Sequence, residues 1–235
     1  MYVDMHSHVI WDVDDGAERR EETLRMLREA SADGIGAIIC TPHMTPGVYS
    51  FPEEKFQAHF LEAQNMAWRE QLPLALFPGA EVLYTDHVPR LLREGRIPTL
   101  ASSSYVLVEF SPTDEWSHIY DALKAVSSTG YRPVIAHMER YPAIRTLEQV
   151  RKLKTSFQAR VQINARSLLR KQPLFRRRFF NALFTENLVD FVATDTHALP
   201  GRETCMKQGM QALRERFGDT ICSRIQLNAE ELLRR

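Results

Sequence analysis

The sequence predicts an α/β protein built on a parallel sheet, and three observations carry that reading. Short apolar runs recur along the chain, a longer amphipathic segment follows most of them, and no repeat, low-complexity tract or linker-like stretch interrupts the alternation. Seven such runs in 235 residues suit a closed barrel better than two separate domains, with an open doubly wound sheet as the rival architecture.

The strand-like runs are 2–5, 37–40, 74–77, 105–110, 133–136, 161–163 and 191–193. They are too short for helices, and several are rich in Val, Ile or aromatic residues. Between them, residues 18–32 place Leu24, Leu27 and Ala30 among charges and end at Asp33-Gly34. Residues 52–69 open with Pro-Glu-Glu, where a missing N–H costs nothing and the carboxylates complement the helix dipole. Helices are also expected over 116–128, 146–154, 175–186 and 203–217, with a short closing helix over 229–235.

Apolar residues make up 44% of the chain, enough for a substantial core. Thirty basic residues balance thirty acidic ones, which argues against a sequence-independent nucleic-acid binder. No apolar run reaches the roughly 18–20 residues of a membrane span, and no secretory leader is visible. Cys40, Cys205 and Cys222 are odd in number and widely spaced, as in a reducing compartment. The expectation is one soluble, cytoplasmic domain over 1–235, without membrane insertion.

Five of the eight histidines, namely His6, His8, His43, His137 and His197, fall at or just past the ends of strand-like runs. Asp15, Glu81, Glu109 and Asp195 fall in equivalent places. Parallel α/β folds gather their strand C-termini on one face, so these residues are expected to meet in one pocket. The motif His6-Ser7-His8 puts both imidazoles on one side of a strand through its period of two. Pro42 stiffens the loop that presents His43. Glu109, within Val-Leu-Val-Glu-Phe, needs either a cation or a buried arginine partner. His59, His87 and His118 lie in helical or loop contexts and receive no role.

A mixed imidazole and carboxylate set without thiolate suits Mn²⁺, Fe²⁺ or Zn²⁺. More ligands than one ion can use, with a carboxylate free to bridge, predict two or three ions that activate water and orient a phosphate for in-line attack. Arg140 and Arg202 follow strand-end ligands and could fork onto phosphate oxygens; surface ion pairs are the alternative for each. A thiolate phosphatase loop is excluded, because Pro46, Gln211 and Asn228 stand six residues after the cysteines where it needs arginine.

The segments Asp4-Met5-His6-Ser7-His8, Asp14-Asp15-Gly16-Ala17, Thr41-Pro42-His43, Gly79-Ala80-Glu81, Ala136-His137-Met138-Glu139-Arg140-Tyr141 and Thr194-Asp195-Thr196-His197 resemble the ordered motifs of the PHP (polymerase and histidinol phosphatase) superfamily. Within it they resemble the bacterial tyrosine-protein phosphatases of the CpsB/CapC/YwqE type, from residue 2 to about residue 230.

The resemblance implies a distorted (β/α)7 barrel, similar to a TIM barrel, with a trinuclear, commonly manganese-dependent site. It implies one ion on His6, His8, Glu81 and Asp195, and a second shared by Glu81 with Glu109 and His137. A third would lie on Asp15, His43 and His197, with Arg140 and Arg202 binding the substrate phosphate and a metal-bound hydroxide as nucleophile. The choice of Asp15 over Asp14 rests on the resemblance alone. The implied substrate is phosphotyrosine on a bacterial tyrosine kinase that controls capsule or exopolysaccharide synthesis. A phosphatase of a small metabolite such as histidinol phosphate is the alternative, and a metal-binding regulatory module is a third reading. The loops 9–13 and 44–49 depart from the common versions, so substrate preference is less determined than metal binding.

Overall fold

A computed structural model describes residues 1–171, 174–198 and 202–234, with no side-chain description for 174 and 175. The strands are β1 (Tyr2–Ser7), β2 (Ile35–Cys40), β3 (His43–Met44), β4 (Ala75–Pro78), β5 (Glu81–Leu83), β6 (Tyr105–Glu109), β7 (Arg132–Ile135), β8 (Arg160–Asn164) and β9 (Phe191–Ala193). The helices are α1 (Arg20–Ala32), α2 (Glu53–Arg69), α3 (Val88–Arg93), α4 (Trp116–Ser127), α5 (Leu147–Phe157), α6 (Ala165–Leu169), α7 (Leu174–Thr185), α8 (Met206–Phe217) and α9 (Asp219–Glu231). No helix among the described residues is long and apolar enough to cross a membrane.

All pairings are parallel. β1 pairs with β2 and β2 with β4, while β3, β5, β6, β7, β8 and β9 pair in that order. The two sheets meet at both ends. β2 resumes as β3 after Thr41-Pro42, and β4 resumes as β5 after Gly79-Ala80. At the other end Ser7 bridges Thr196, and the Asp195 N–H donates to the His6 carbonyl at 2.9 Å. The sheet therefore curls, bringing the first strand beside the last.

The breaks have local causes. Proline cannot donate to a ladder, so Pro42 ends the regular pairing of β2. At Gly79 a Cβ would lie 2.9 Å from the Ile39 Cγ2, so a side chain there would crowd the neighbouring strand. His43 and Glu81 thus sit in separate strand segments beyond the breaks, paired with each other in register, rather than at the ends of the predicted runs.

Strand residues alternate between two apolar clusters. Val106 and Val108 pack with the helices, while Leu107 joins Met5, Ile39, Val134 and Ala193 in a second cluster that α9 closes through Ala229 and Leu232. Burial of each such Val or Leu contributes about 1.5–3 kcal/mol. The helices carry their own start signals. The Glu22 carboxylate accepts from the Glu18 and Arg19 N–H groups, and Thr146 caps α5 by accepting from the Gln149 N–H at 3.2 Å.

The expected closing helix over 229–235 is corrected: α9 begins ten residues earlier, at Asp219, directly after Gly218 (φ +89°) ends α8, and Arg235 lies outside the described residues. Its buried face, Cys222, Ile225 and Ala229, has helical spacing but is interleaved with polar residues, which hides it in the sequence. Pro52 precedes α2 as its N-cap rather than opening its first turn.

Candidate metal centre

Every ligand proposed from the sequence lies at the end of the sheet where the strands terminate. β1 delivers His6 and, one residue on, His8. The loop after it carries Asp14 and Asp15 and is held in the core by Val9, Ile10 and Ala17. Thr23 of α1 donates to the Val9 carbonyl at 2.6 Å, and a Cβ at Gly16 would stand 2.2 Å from the His8 carbonyl oxygen. This close approach explains a glycine at that position. His43 comes from β3, Glu81 from β5, Glu109 from the end of β6, His137 from the end of β7, and Asp195 and His197 from beyond β9. His137 (φ +30°) and Asp195 (φ +53°) both adopt left-handed backbone, the sort of strain that clusters at functional sites.

Glu81 is the hub. Its Oε2 lies 3.1 Å from His6 Nε2, 3.2 Å from His8 Nε2 and 3.1 Å from His43 Nδ1, and its Oε1 lies 2.7 Å from His137 Nε2. Asp15 Oδ1 stands 3.4 Å from His43 Nε2 and 3.3 Å from His197 Nε2, and its side chain is 58% exposed, on the open side of the cluster. Glu109 lies 3.5–3.6 Å from His137 and His43. Asp195 Oδ1 lies 3.6–3.8 Å from His6, His8 and His197. Three sets of donor atoms each fall within 4.8 Å of one another: His8, Asp15, His43 and His197; His6, His8 and Glu81; and His43, Glu81 and Glu109.

The donor set fits divalent cations. His6 Nδ1 faces Gln162 Oε1 at 3.2 Å and His8 Nδ1 faces the Asp14 carboxylate at 2.6 Å. Both partners are acceptors, so in the neutral imidazoles both protons belong on Nδ1 and both Nε2 atoms present lone pairs. Those two Nε2 atoms face each other at 3.2 Å. Glu81 Oε2 and His197 Nε2 are buried without a hydrogen-bond partner among the described residues. Converging lone pairs and orphaned acceptors are costly in a buried site unless a cation lies between them. Without a cation, protons take its place: burial opposes the charged rings, but Glu81 holds His6, and Asp14 holds His8, above the usual imidazole range. Burial opposes ionisation of Glu81 too, but His6 and the other imidazoles hold it well below the usual range, and burial and then the Glu81 charge push Glu109 up.

Arg140 and Arg202 converge on Asp195. Arg140 Nη2 donates to Oδ2 at 2.5 Å and Arg202 Nη2 to Oδ1 at 2.9 Å, while Asn164 Nδ2 also donates to Oδ2 at 2.9 Å. They are therefore ion-paired with a site acid rather than with distant surface acids.

Sequence reasoning missed the supports. Asp14 holds His8 Nδ1 and accepts from the His43 N–H at 3.0 Å, whereas Asp15 faces the imidazole nitrogens. Gln162 Oε1 accepts from the His137 N–H at 2.6 Å, and Tyr141 OH meets His137 Nδ1 at 3.2 Å. The signal was available in Val161-Gln162-Ile163-Asn164, where polar residues alternate in an otherwise apolar strand. Asp14→Asn is expected to weaken metal binding about 10–100-fold, because the acceptor that fixes the His8 tautomer loses its charge. Titration of the stripped protein with metal measures this, and unchanged affinity would deny Asp14 that role. The three histidines given no role lie outside the cluster: His59 stacks on Trp11, His87 packs against Gly47, and His118 faces Asp114 and Tyr84.

The family described as capsular polysaccharide synthesis, CpsB/CapC, matches residues 2–234. The tyrosine-protein phosphatase CpsB of Streptococcus agalactiae serotype V is 32% identical over 99% of this chain and 98% of its own. A crystal structure described as YwqE from Bacillus subtilis and CpsB from Streptococcus pneumoniae, unique metal-dependent tyrosine phosphatases, superposes with a TM-score of 0.87 at 28% identity. It covers 98% of this chain and 94% of the other. The histidinol phosphate phosphatase of Lactococcus lactis shares the fold at TM-score 0.54 and 16% identity, covering 99% and 92% of the two chains. The chain belongs to the CpsB/CapC family of capsular polysaccharide synthesis.

Proposed function

We propose that this chain is a metal-dependent phosphomonoesterase acting on protein phosphotyrosine, with a bacterial tyrosine kinase of capsule or exopolysaccharide synthesis as its substrate. The observation that carries the reading is the pair of His6 and His8 Nε2 atoms, facing each other at 3.2 Å beside Glu81 Oε2, with two arginines close by. The relatives' tyrosine-phosphatase activity and the family's link to capsular polysaccharide support the substrate class.

His6, His8, Glu81 and Asp195 would hold one ion, Glu81, Glu109 and His137 a second, and Asp15, His43 and His197 a third. Two or three ions are expected, Mn²⁺ before Fe or Zn, because the donors are imidazole and carboxylate without thiolate. When bound, such ions supply charge to neutralise phosphate oxygens and make water a usable nucleophile near neutral pH. The protein's own share is orientation. Asp14 and Gln162 fix the His8 and His6 tautomers, Tyr141 and Gln162 hold His137, and Arg140 and Arg202 fork onto the phosphate from the Asp195 edge. We also read the sheet as a distorted (β/α)7 barrel, since β2 with β3 and β4 with β5 each count as one interrupted strand, and the chain as one domain over 1–235. The three buried, unpaired cysteines support a cytoplasmic setting.

The test is a chelator-stripped sample reconstituted with manganese and offered a phosphotyrosyl peptide and histidinol phosphate. Activity should vanish on stripping, return with metal and favour the peptide. Full activity in excess chelator would overturn the metal hydrolase, and a large preference for histidinol phosphate would overturn the protein substrate.

A further inference from the structure

A cleft of about 570 Å³ opens from the metal centre between the ends of β7, β8 and β9, and its walls are unexpectedly basic for a chain of zero net charge. Beyond Arg140 and Arg202 it is lined, among the described residues, by Arg166, Arg170, Lys171 and Arg176, against two carboxylates, Glu139 and Asp195. Asp195 is committed on both oxygens, whereas Glu139 is committed on Oε1 alone, its Oε2 being buried without a hydrogen-bond partner among the described residues. Asp195 takes the two arginines of the site, and Glu139 Oε1 accepts from the Asn164 N–H at 3.0 Å and the Ser167 hydroxyl at 2.6 Å, anchoring the start of α6. Arg166 donates to the Glu203 carbonyl at 2.6 Å and has that residue's carboxylate only at 3.8 Å. Among the described residues, Arg170 and Lys171 form no ion pair. Positive charge thus gathers in a groove that shares Arg140, Asp195 and Arg202 with the metal centre.

We propose that Arg166, Arg170 and Lys171 form a second anion subsite that selects phosphotyrosyl peptides with further negative charge beside the target tyrosine. This rests on the phosphatase reading and names its substrate more narrowly. A groove of one sign focuses its field and favours a ligand of the opposite sign in both capture and register. The cations are side chains on α6 and the turn after it, so the anion they meet is carried by the same peptide whose phosphate lies at the Asp195 edge. Aspartate or glutamate carboxylates and a second tyrosine phosphate share this chemistry.

The test uses the manganese-loaded full chain and three peptides of one length: phosphotyrosine with neutral flanks, with acidic flanks, and with a neighbouring second phosphotyrosine. Fluorescence anisotropy with phosphonate analogues of the three measures binding apart from turnover, and para-nitrophenyl phosphate reports chemistry without a peptide. The charged peptides should bind about fivefold to tenfold tighter than the neutral one, with the advantage shrinking as salt rises. The double variant R170E/K171E should erase the ratio between charged and neutral peptides, and R170Q/K171Q should reduce it, with the effect in KM. Which charged peptide gains more tells carboxylate from phosphate. Equal binding of all three peptides, or an unchanged ratio in R170E/K171E, overturns the subsite. Binding selectivity without hydrolysis of any phosphate ester would instead retain the subsite and overturn the phosphatase reading.

Discussion

Glu81→Ala is expected to abolish turnover and strip the protein of most of its metal. One carboxylate here serves four imidazoles, with Oε2 3.1–3.2 Å from the ring nitrogens of His6, His8 and His43 and Oε1 2.7 Å from that of His137. No other acid in the cluster touches that many, and Asp195 is shared with two arginines. Removing Glu81 takes an anion from the middle of the cluster and leaves imidazoles whose lone pairs converge on a gap. The loss should exceed about a hundredfold in rate, the scale on which metal-assisted charge stabilisation operates. Glu81→Gln separates charge from shape, because its amide oxygen keeps one ligand atom but cannot bridge as a carboxylate does; intermediate metal content and little activity are expected. Elemental analysis beside a phosphotyrosyl-peptide assay reads both quantities, and thermal unfolding shows whether either variant is still folded. A folded Glu81→Ala protein with full metal and normal turnover would remove Glu81 from the centre.

Much of the centre was legible because parallel α/β topology makes chemistry local to strand ends. Once the runs at 2–5, 105–110 and 191–193 were read as strands, His6, Glu109 and Asp195 had to share a face. Position along the run was less legible. His43 and Glu81 belong to two- and three-residue segments that pair only because β2 and β4 break at Pro42 and Gly79, and segments that short have no periodicity to read. The roles of Asp14 and Asp15 were also hidden. Adjacent carboxylates in one loop are equivalent in sequence, and only the fold of residues 9–17 against α1 turns one toward His8 Nδ1 and the other toward His43 and His197. The first ten residues of α9 were missed because its face of Cys222, Ile225 and Ala229 is sparse, and the helix is stabilised by packing that face into the two apolar clusters rather than by its own pattern.

Arg140→Ala is expected to leave metal content intact while lowering kcat/KM about a hundredfold. The side chain is 43% exposed and bonds Asp195 through Nη2 alone among the described residues, and arginine carries further N–H donors on its planar fork. Its charge is sustained: burial disfavours it, but Asp195, Glu139 and Glu81 raise its pKa above the usual arginine range. Two functions are compatible with such contacts, clamping the substrate phosphate or holding Asp195 in place, and the variant separates them. If the residue clamps phosphate, metal stoichiometry is unchanged, inorganic phosphate inhibits more weakly and Arg140→Lys recovers only part of the activity, since a point charge cannot reproduce a bidentate contact. If it positions Asp195, metal affinity falls together with turnover, and phosphate inhibition of the fully loaded protein is unaffected. Arg202 and Asn164 each keep a contact with Asp195 after Arg140 is removed, at 2.9 Å in both cases, so the acid retains two of its three anchors. That redundancy is why the metal is expected to remain when the phosphate clamp is lost.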